Sequence, residues 1–151
     1  MNPVSSHRSI AVSLAAICMI AGCGVQTVRV NGDAMSPTLH DGDIRIVNTA
    51  AYDSASPQRG DIVLFKESGE RIARIVGLPG ETVAFAGGAV EINGSSLSEA
   101  YLPAGTQSTA PQESYSVPAG EYFVMHDNRV RMADSRTLGF VPRSAIEGKI
   151  G

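Results

Sequence analysis

The feature that most constrains this chain is the period of its apolar residues. From Val28 onward they come in short runs with a repeat near two rather than 3.6. Ile44 and Ile46 alternate with Arg45 and Val47-Asn48. Ile62-Val63-Leu64-Phe65 is a short buried run, and Ile72, Arg74 and Val76 alternate again. Further strands are expected at Thr82–Phe85, Ala89–Ile92, Tyr115–Val117 and Tyr122–Met125. Turn signals separate these runs: Asp41-Gly42-Asp43, Arg59-Gly60-Asp61, Pro79-Gly80, Gly87-Gly88, Asn93-Gly94 and Pro118-Ala119-Gly120. Asn93-Gly94 suits a tight hairpin, because both residues tolerate positive φ. No helical stretch of about ten residues interrupts the pattern, so an all-β barrel or sandwich is expected. Ser95 to Ser116, rich in Ser, Ala, Pro, Gly and Gln, reads as an exposed excursion between two parts of the sheet.

Composition removes several function classes. With 151 residues, 43% of them hydrophobic and 18% charged, the chain suits one folded domain. Lys and Arg total 12 against 15 Asp and Glu, and no two of those 12 are adjacent. A nucleic-acid footprint is therefore absent. Both cysteines, Cys18 and Cys23, lie near the start, which leaves the remainder without a disulfide or a cysteine metal site. His7, His40 and His126 are too scattered for a zinc site, and no cofactor is expected.

The N-terminus reads as a targeting segment. Met1 to Ser9 are polar with one Arg, Ile10 to Ala21 are almost wholly apolar, and Gly22 and Cys23 follow. The apolar stretch is shorter than the roughly 20 residues that span a bilayer. Its exit, Ile20-Ala21-Gly22-Cys23, resembles the lipobox of bacterial lipoproteins, in which the Cys is acylated and becomes the mature N-terminus. The expected division is a signal peptide or anchor over 1–22, a short tether over 23–27 and a β domain over 28–151, with the excursion at 95–116. The domain would sit on the outer side of the bacterial cytoplasmic membrane, held by a lipid on Cys23 or, failing that, by the N-terminal segment as an uncleaved anchor.

Four segments, in order, resemble the boxes of bacterial type I signal peptidases. The first runs Val30-Asn31-Gly32-Asp33-Ala34-Met35-Ser36-Pro37-Thr38-Leu39, then Gly42-Asp43. The second is Arg59-Gly60-Asp61-Ile62-Val63-Leu64-Phe65, and the third is Arg71-Ile72-Ala73-Arg74-Ile75-Val76-Gly77-Leu78-Pro79-Gly80-Glu81. The fourth runs from Val117 through Met125-His126-Asp127-Asn128-Arg129 to Ala133-Asp134-Ser135-Arg136 and Gly139-Phe140-Val141-Pro142. The resemblance implies a coiled, mostly antiparallel β-sheet domain of the signal-peptidase/LexA-like type, and an ancestry in removing signal peptides from exported proteins.

Family chemistry uses a Ser nucleophile and a neutral Lys base whose pKa is lowered by burial. By resemblance, Ala34 occupies the Ser position before Met35, and Ala73 the Lys position before Arg74. The second Ser that supports the Lys is replaced by Met132, and His126 stands where the family has Gly. Removing the nucleophile of a serine hydrolase costs about 10⁶-fold in kcat, and an alanine methyl has no titratable atom. Gly32, Asp33, Met35 and Pro37 match the groove beside the nucleophile. Arg74, Asp127, Asn128, Asp134 and Arg136 match scaffold positions.

The expected function is a catalytically inactive, exported, membrane-tethered relative of signal peptidase I. It would hold signal-peptide-like or pilin-like extended segments, its partner an exported preprotein or surface-structure subunit, as an assembly or accessory factor. One alternative is an active endopeptidase with an unrecognised nucleophile, for which Ser36 with His126 is the sequence candidate. Another is a plain β-domain lipoprotein with no peptide groove.

Overall fold

The computed structural model describes residues 24–151. The targeting segment, His7, Cys18 and Cys23 lie outside the described residues. The chain forms β1 (Val25–Arg29), β2 (Ile44–Asn48), β3 (Ile62–Lys66), β4 (Glu70–Gly77), β5 (Thr82–Ala86), β6 (Ala89–Ile92), β7 (Ser95–Ser96), β8 (Ser114–Ser116), β9 (Glu121–Met125), the short helix α1 (Ser135–Leu138), β10 (Val141–Pro142) and β11 (Ile146–Ile150). All pairings are antiparallel. One sheet has seven strands in the order β1-β2-β11-β3-β4-β9-β10; the other has four in the order β7-β6-β5-β8.

The expected strands are all present, and the turn residues explain why. Asn93 (φ 50°) and Gly94 (φ 81°) both take positive φ in the two-residue turn from β6 to β7. Gly77 does something different. It lies at the end of β4, where an added Cβ would meet Val83 Cγ2 at 2.5 Å and Phe123 Cβ at 2.9 Å. A glycine there lets the first sheet press against the second.

The core has two faces around β3 and β4. Val63, Phe65, Ala73 and Ile75 pack with Tyr52, Tyr122, Val124, Val141 and Ile146 on one face. Leu64, Ile62 and Ile72 turn to the other, against Val47, Ile150, Val30, Met35 and Leu39. A further cluster joins the sheets, with Val76, Phe123 and Met125 from the first and Val83, Val90 and Tyr115 from the second.

Several particulars differ from the sequence reading. Val25, Gln26 and Thr27, expected in the tether, are strand residues paired with Asn48, Val47 and Ile46. In β2 the alternation is real, but Val47 faces the core while Ile44 (63% exposed) and Ile46 (59%) face outward beside Val25 (56%). The ribbon lies at the sheet margin, so only one of its faces has a core to meet. The segment 95–116 is anchored rather than free. Arg129 is bound by Glu99 (2.5 and 2.9 Å) and by Ser108 (2.6 Å), and Tyr115 is buried.

Candidate functional site: a cleft between two strand edges

β1 is the terminal strand of its sheet, so one of its edges has no partner. Along β4, β9 begins to pair only at Arg74, which leaves Glu70 to Ala73 bonded to β3 alone. The sheet coils until these two edges flank a cavity of about 250 Å³. Val28 to Asn31 line one side and Glu70 to Ile72 the other; Leu64 and Met35 contribute aliphatic surface, and Ala34, His126 and Ala133 complete the wall.

The segment after β9 fixes Ala34. Asn128 donates its backbone N–H to the Ala34 carbonyl (3.0 Å) and its side-chain amide to the Asp33 carbonyl (3.1 Å). Arg131 grips the Asp33 carboxylate through Nε (2.9 Å) and Nη2 (2.8 Å), and that guanidinium holds the Asp33 pKa below the usual carboxylate range. Arg74 makes a bidentate pair with Asp127 (2.8 and 2.6 Å), which also accepts from Thr38 Oγ1 (2.5 Å). The Arg74 guanidinium lies 3.8 Å from the Tyr101 ring centroid. Arg136, fully buried, donates to Asp134 (2.9 and 2.7 Å) and to the carbonyls of Thr109, Arg129 and Arg131. These contacts tie the last loop to β4 and to the loop that carries Ala34.

The sequence-derived candidates divide on the structure. Ala34, Met35 and His126 line the cavity; Gly32, Asp33, Pro37 and Met132 do not. Ala73 is completely buried, and strand alternation puts its methyl on the face opposite Ile72. A side chain at 73 therefore starts in the apolar cluster of Val63, Phe65 and Tyr122. Ser36 lies on a separate depression beside Asp127 to Val130, which His126 does not line, so the Ser36 and His126 candidates share no cavity.

Residues outside the candidate set also shape the site. Leu64 and Ile72 are direct cross-strand partners forming an aliphatic surface, and Arg71 reaches the Ala133 carbonyl (3.2 Å). The alternation of β3 and β4 carried the first signal; nothing local in the sequence carried the second.

Burial chiefly lowers the His126 pKa below its ordinary value, with the charges of Arg136 and Arg71 adding to it. Asp134 and the Arg131 carbonyl oppose that shift. The imidazole is neutral at physiological pH.

An open cleft between two strand edges of a coiled antiparallel sheet, lined by small and aliphatic side chains together with Arg29, Asn31, Glu70, Arg71 and His126, gives the domain the geometry of a site for an added strand. Its lineage is specific: the chain matches the signal peptidase, peptidase S26, family over residues 4–151 and belongs to that family of serine endopeptidases. It is 33% identical to signal peptidase I of Bacillus amyloliquefaciens over 153 residues, covering 93% of this chain and 79% of that one. It is 37% identical to signal peptidase I T of Bacillus subtilis (strain 168) over 131 residues, covering 79% and 68%. The crystal structure of a signal peptidase I from Enterococcus faecalis V583 superposes with a TM-score of 0.55 at 36% identity, covering 64% of this chain and 97% of that one. The coiled, mostly antiparallel β architecture expected from the sequence is the fold observed.

Proposed function

We propose that this chain is a non-cleaving member of the signal peptidase family that holds extended segments of exported proteins. The observation that carries the reading is Ala34 in the wall of a cleft whose two flanking backbones are unpaired. A peptide laid there gains main-chain hydrogen bonds from β1 and β4, and neither bond set needs a Ser or Lys side chain. Ala73, sealed among apolar side chains, supplies no base. The partner is an exported preprotein or a surface-structure subunit, and the role is that of an assembly or accessory factor.

The reading includes a membrane tether. Residues 1–22 deliver the chain, Cys23 carries lipid, and the outward strip of Val25, Ile44 and Ile46 begins two residues later. No helix among the described residues is long and apolar enough to cross a membrane. The test uses the full chain in detergent micelles, because a domain cut at Val28 would lose much of β1. A labelled peptide ending in small residues is titrated and saturable binding without cleavage is expected. Cleavage by the wild type of a preprotein peptide with an Ala-X-Ala end overturns the reading.

A further inference from the structure

His126 offers the cleft a polar atom that no group among the described residues uses. Its ring is nine-tenths buried, with side-chain exposure of 10%. Nδ1 lies 3.1 Å from the Arg131 carbonyl oxygen, and a carbonyl oxygen can only accept. Nδ1 therefore carries the proton, and Nε2 presents its lone pair. Among the described residues no group bonds Nε2, and it is not sealed from solvent; the only described cavity that His126 lines is the cleft beside Ala34. The backbone under the ring is held as well, since the His126 N–H donates to Asp134 Oδ2 (2.9 Å).

Resting on the peptide-holding reading, we propose that His126 is a specificity-determining residue whose Nε2 accepts a hydrogen bond from a hydroxyl side chain on the bound peptide. The cleft then prefers serine to a purely apolar small residue at the position seated beside Ala34. An aliphatic side chain placed there covers Nε2 without pairing it, and leaving a buried acceptor unpaired is what makes such sites selective. Glycine at 126 would leave that wall without an acceptor, and phenylalanine would fill the same space with none. Arg71 from β4, Arg136 from α1 and Asp134 at its N-cap are the charges that act on the ring, and Arg29 from β1 and Glu70 from β4 line the same cleft. A proton gained by the ring would turn Nε2 into a donor, which a serine hydroxyl meets as an acceptor and a peptide carbonyl meets equally, so the acceptor role is read at neutral pH.

The test compares blocked peptides that are identical except at one of their two small positions, where they carry serine, alanine or α-aminobutyrate. The last matches serine in shape and lacks its hydroxyl. Fluorescence anisotropy on the full chain in micelles at neutral pH is expected to give about ten-fold tighter binding for serine than for aminobutyrate. The preference should vanish in His126→Gly and in His126→Phe. Imidazole ¹⁵N spectra of the free protein give a second readout that needs no peptide, with the Nδ1–H tautomer expected. An Nε2–H tautomer, or equal binding of serine and aminobutyrate at both positions in the wild type, overturns the role of His126 and leaves the groove standing. If no peptide of the series binds saturably up to millimolar concentration, the groove reading and this inference fall together.

Discussion

Placing a lysine at position 73 tests how completely that position is sealed from water. Ala73 is 0% exposed, pairs with Val63 across the β3–β4 ladder, and packs with Phe65, Ile75, Tyr122 and Val124. Burial in such surroundings lowers a lysine pKa by about 3 units or more. A fall from about 10.4 to about 7.4 costs ~4 kcal/mol of stability at pH 7, and forcing a longer chain into packed space adds roughly 1–3 kcal/mol. The total consumes much of the roughly 5–15 kcal/mol that holds a domain together. Because the folded pKa lies below the unfolded one, the unfolded state holds more protons across that window. Stability of Ala73→Lys should therefore rise as pH climbs from about 7.4 to about 10.4, leaving only the packing cost above it. Urea melts of Ala73→Lys and Ala73→Met at both ends of the window, each referred to the wild type, separate charge from volume. A lysine that costs less than about 1 kcal/mol with no pH dependence would refute the reasoning, because its amine would then be reaching water and position 73 would not be sealed.

The double variant Ala34→Ser with Ala73→Lys should cleave an Ala-X-Ala preprotein peptide only weakly, since small misplacements of reacting groups cost about 10²-fold; adding Met132→Ser should raise the rate, read by peptide turnover. Metabolic palmitate labelling should mark the wild type and not Cys23→Ala; equal or absent labelling in both refutes lipidation. Thermal melts should show stability falling as pH drops below about 6.5, because the unfolded chain takes up the His126 proton more readily than the folded one; His126→Gly should flatten that slope. Substituting Ile44 and Ile46 together by glutamate should weaken partitioning to vesicles while leaving the melt unchanged, since both side chains face outward.

Much of the fold could be read from the sequence because its strands are short and its turns are marked by glycine. Positive φ at Asn93 and Gly94 is a local requirement, so the hairpin after β6 was visible. β11 was not, because Ile146–Ile150 owes its place to long-range pairing and a bulge at which Gly148 comes too close to the Asn48 carbonyl for any Cβ. β1 was cut short because its outward face carries Val25 and Thr27, which nothing local distinguishes from a linker. At the site, Ala34 and His126 stood out through the motif order. The union of Val28 and Val30 with Leu64 and Ile72 did not, since coiling of the sheet alone brings those strands to one cleft. The separation of Ala73 from Ile72 was implicit in alternation, although the depth of its burial was not.

The ion pairs of the last loop bear on how the cleft keeps its shape. Buried pairs such as Arg74–Asp127 and Arg136–Asp134 gain little against the desolvation of their charges, yet removing one partner strands the other at a cost of about 3–5 kcal/mol. Once such a pair is in place, its partners constrain each other. Here the partners also define geometry: Arg136 orders the Arg129 and Arg131 carbonyls, the second of which sets the His126 tautomer, and Asp134 holds the His126 backbone N–H. Asn128 then fastens the loop to the Ala34 carbonyl. None of these bonds passes through a side chain at 34 or 73. With alanine at both positions the hydrogen-bonded walls keep their own support, and Nε2 of His126 stands in the cleft lining on a backbone fixed by Asp134.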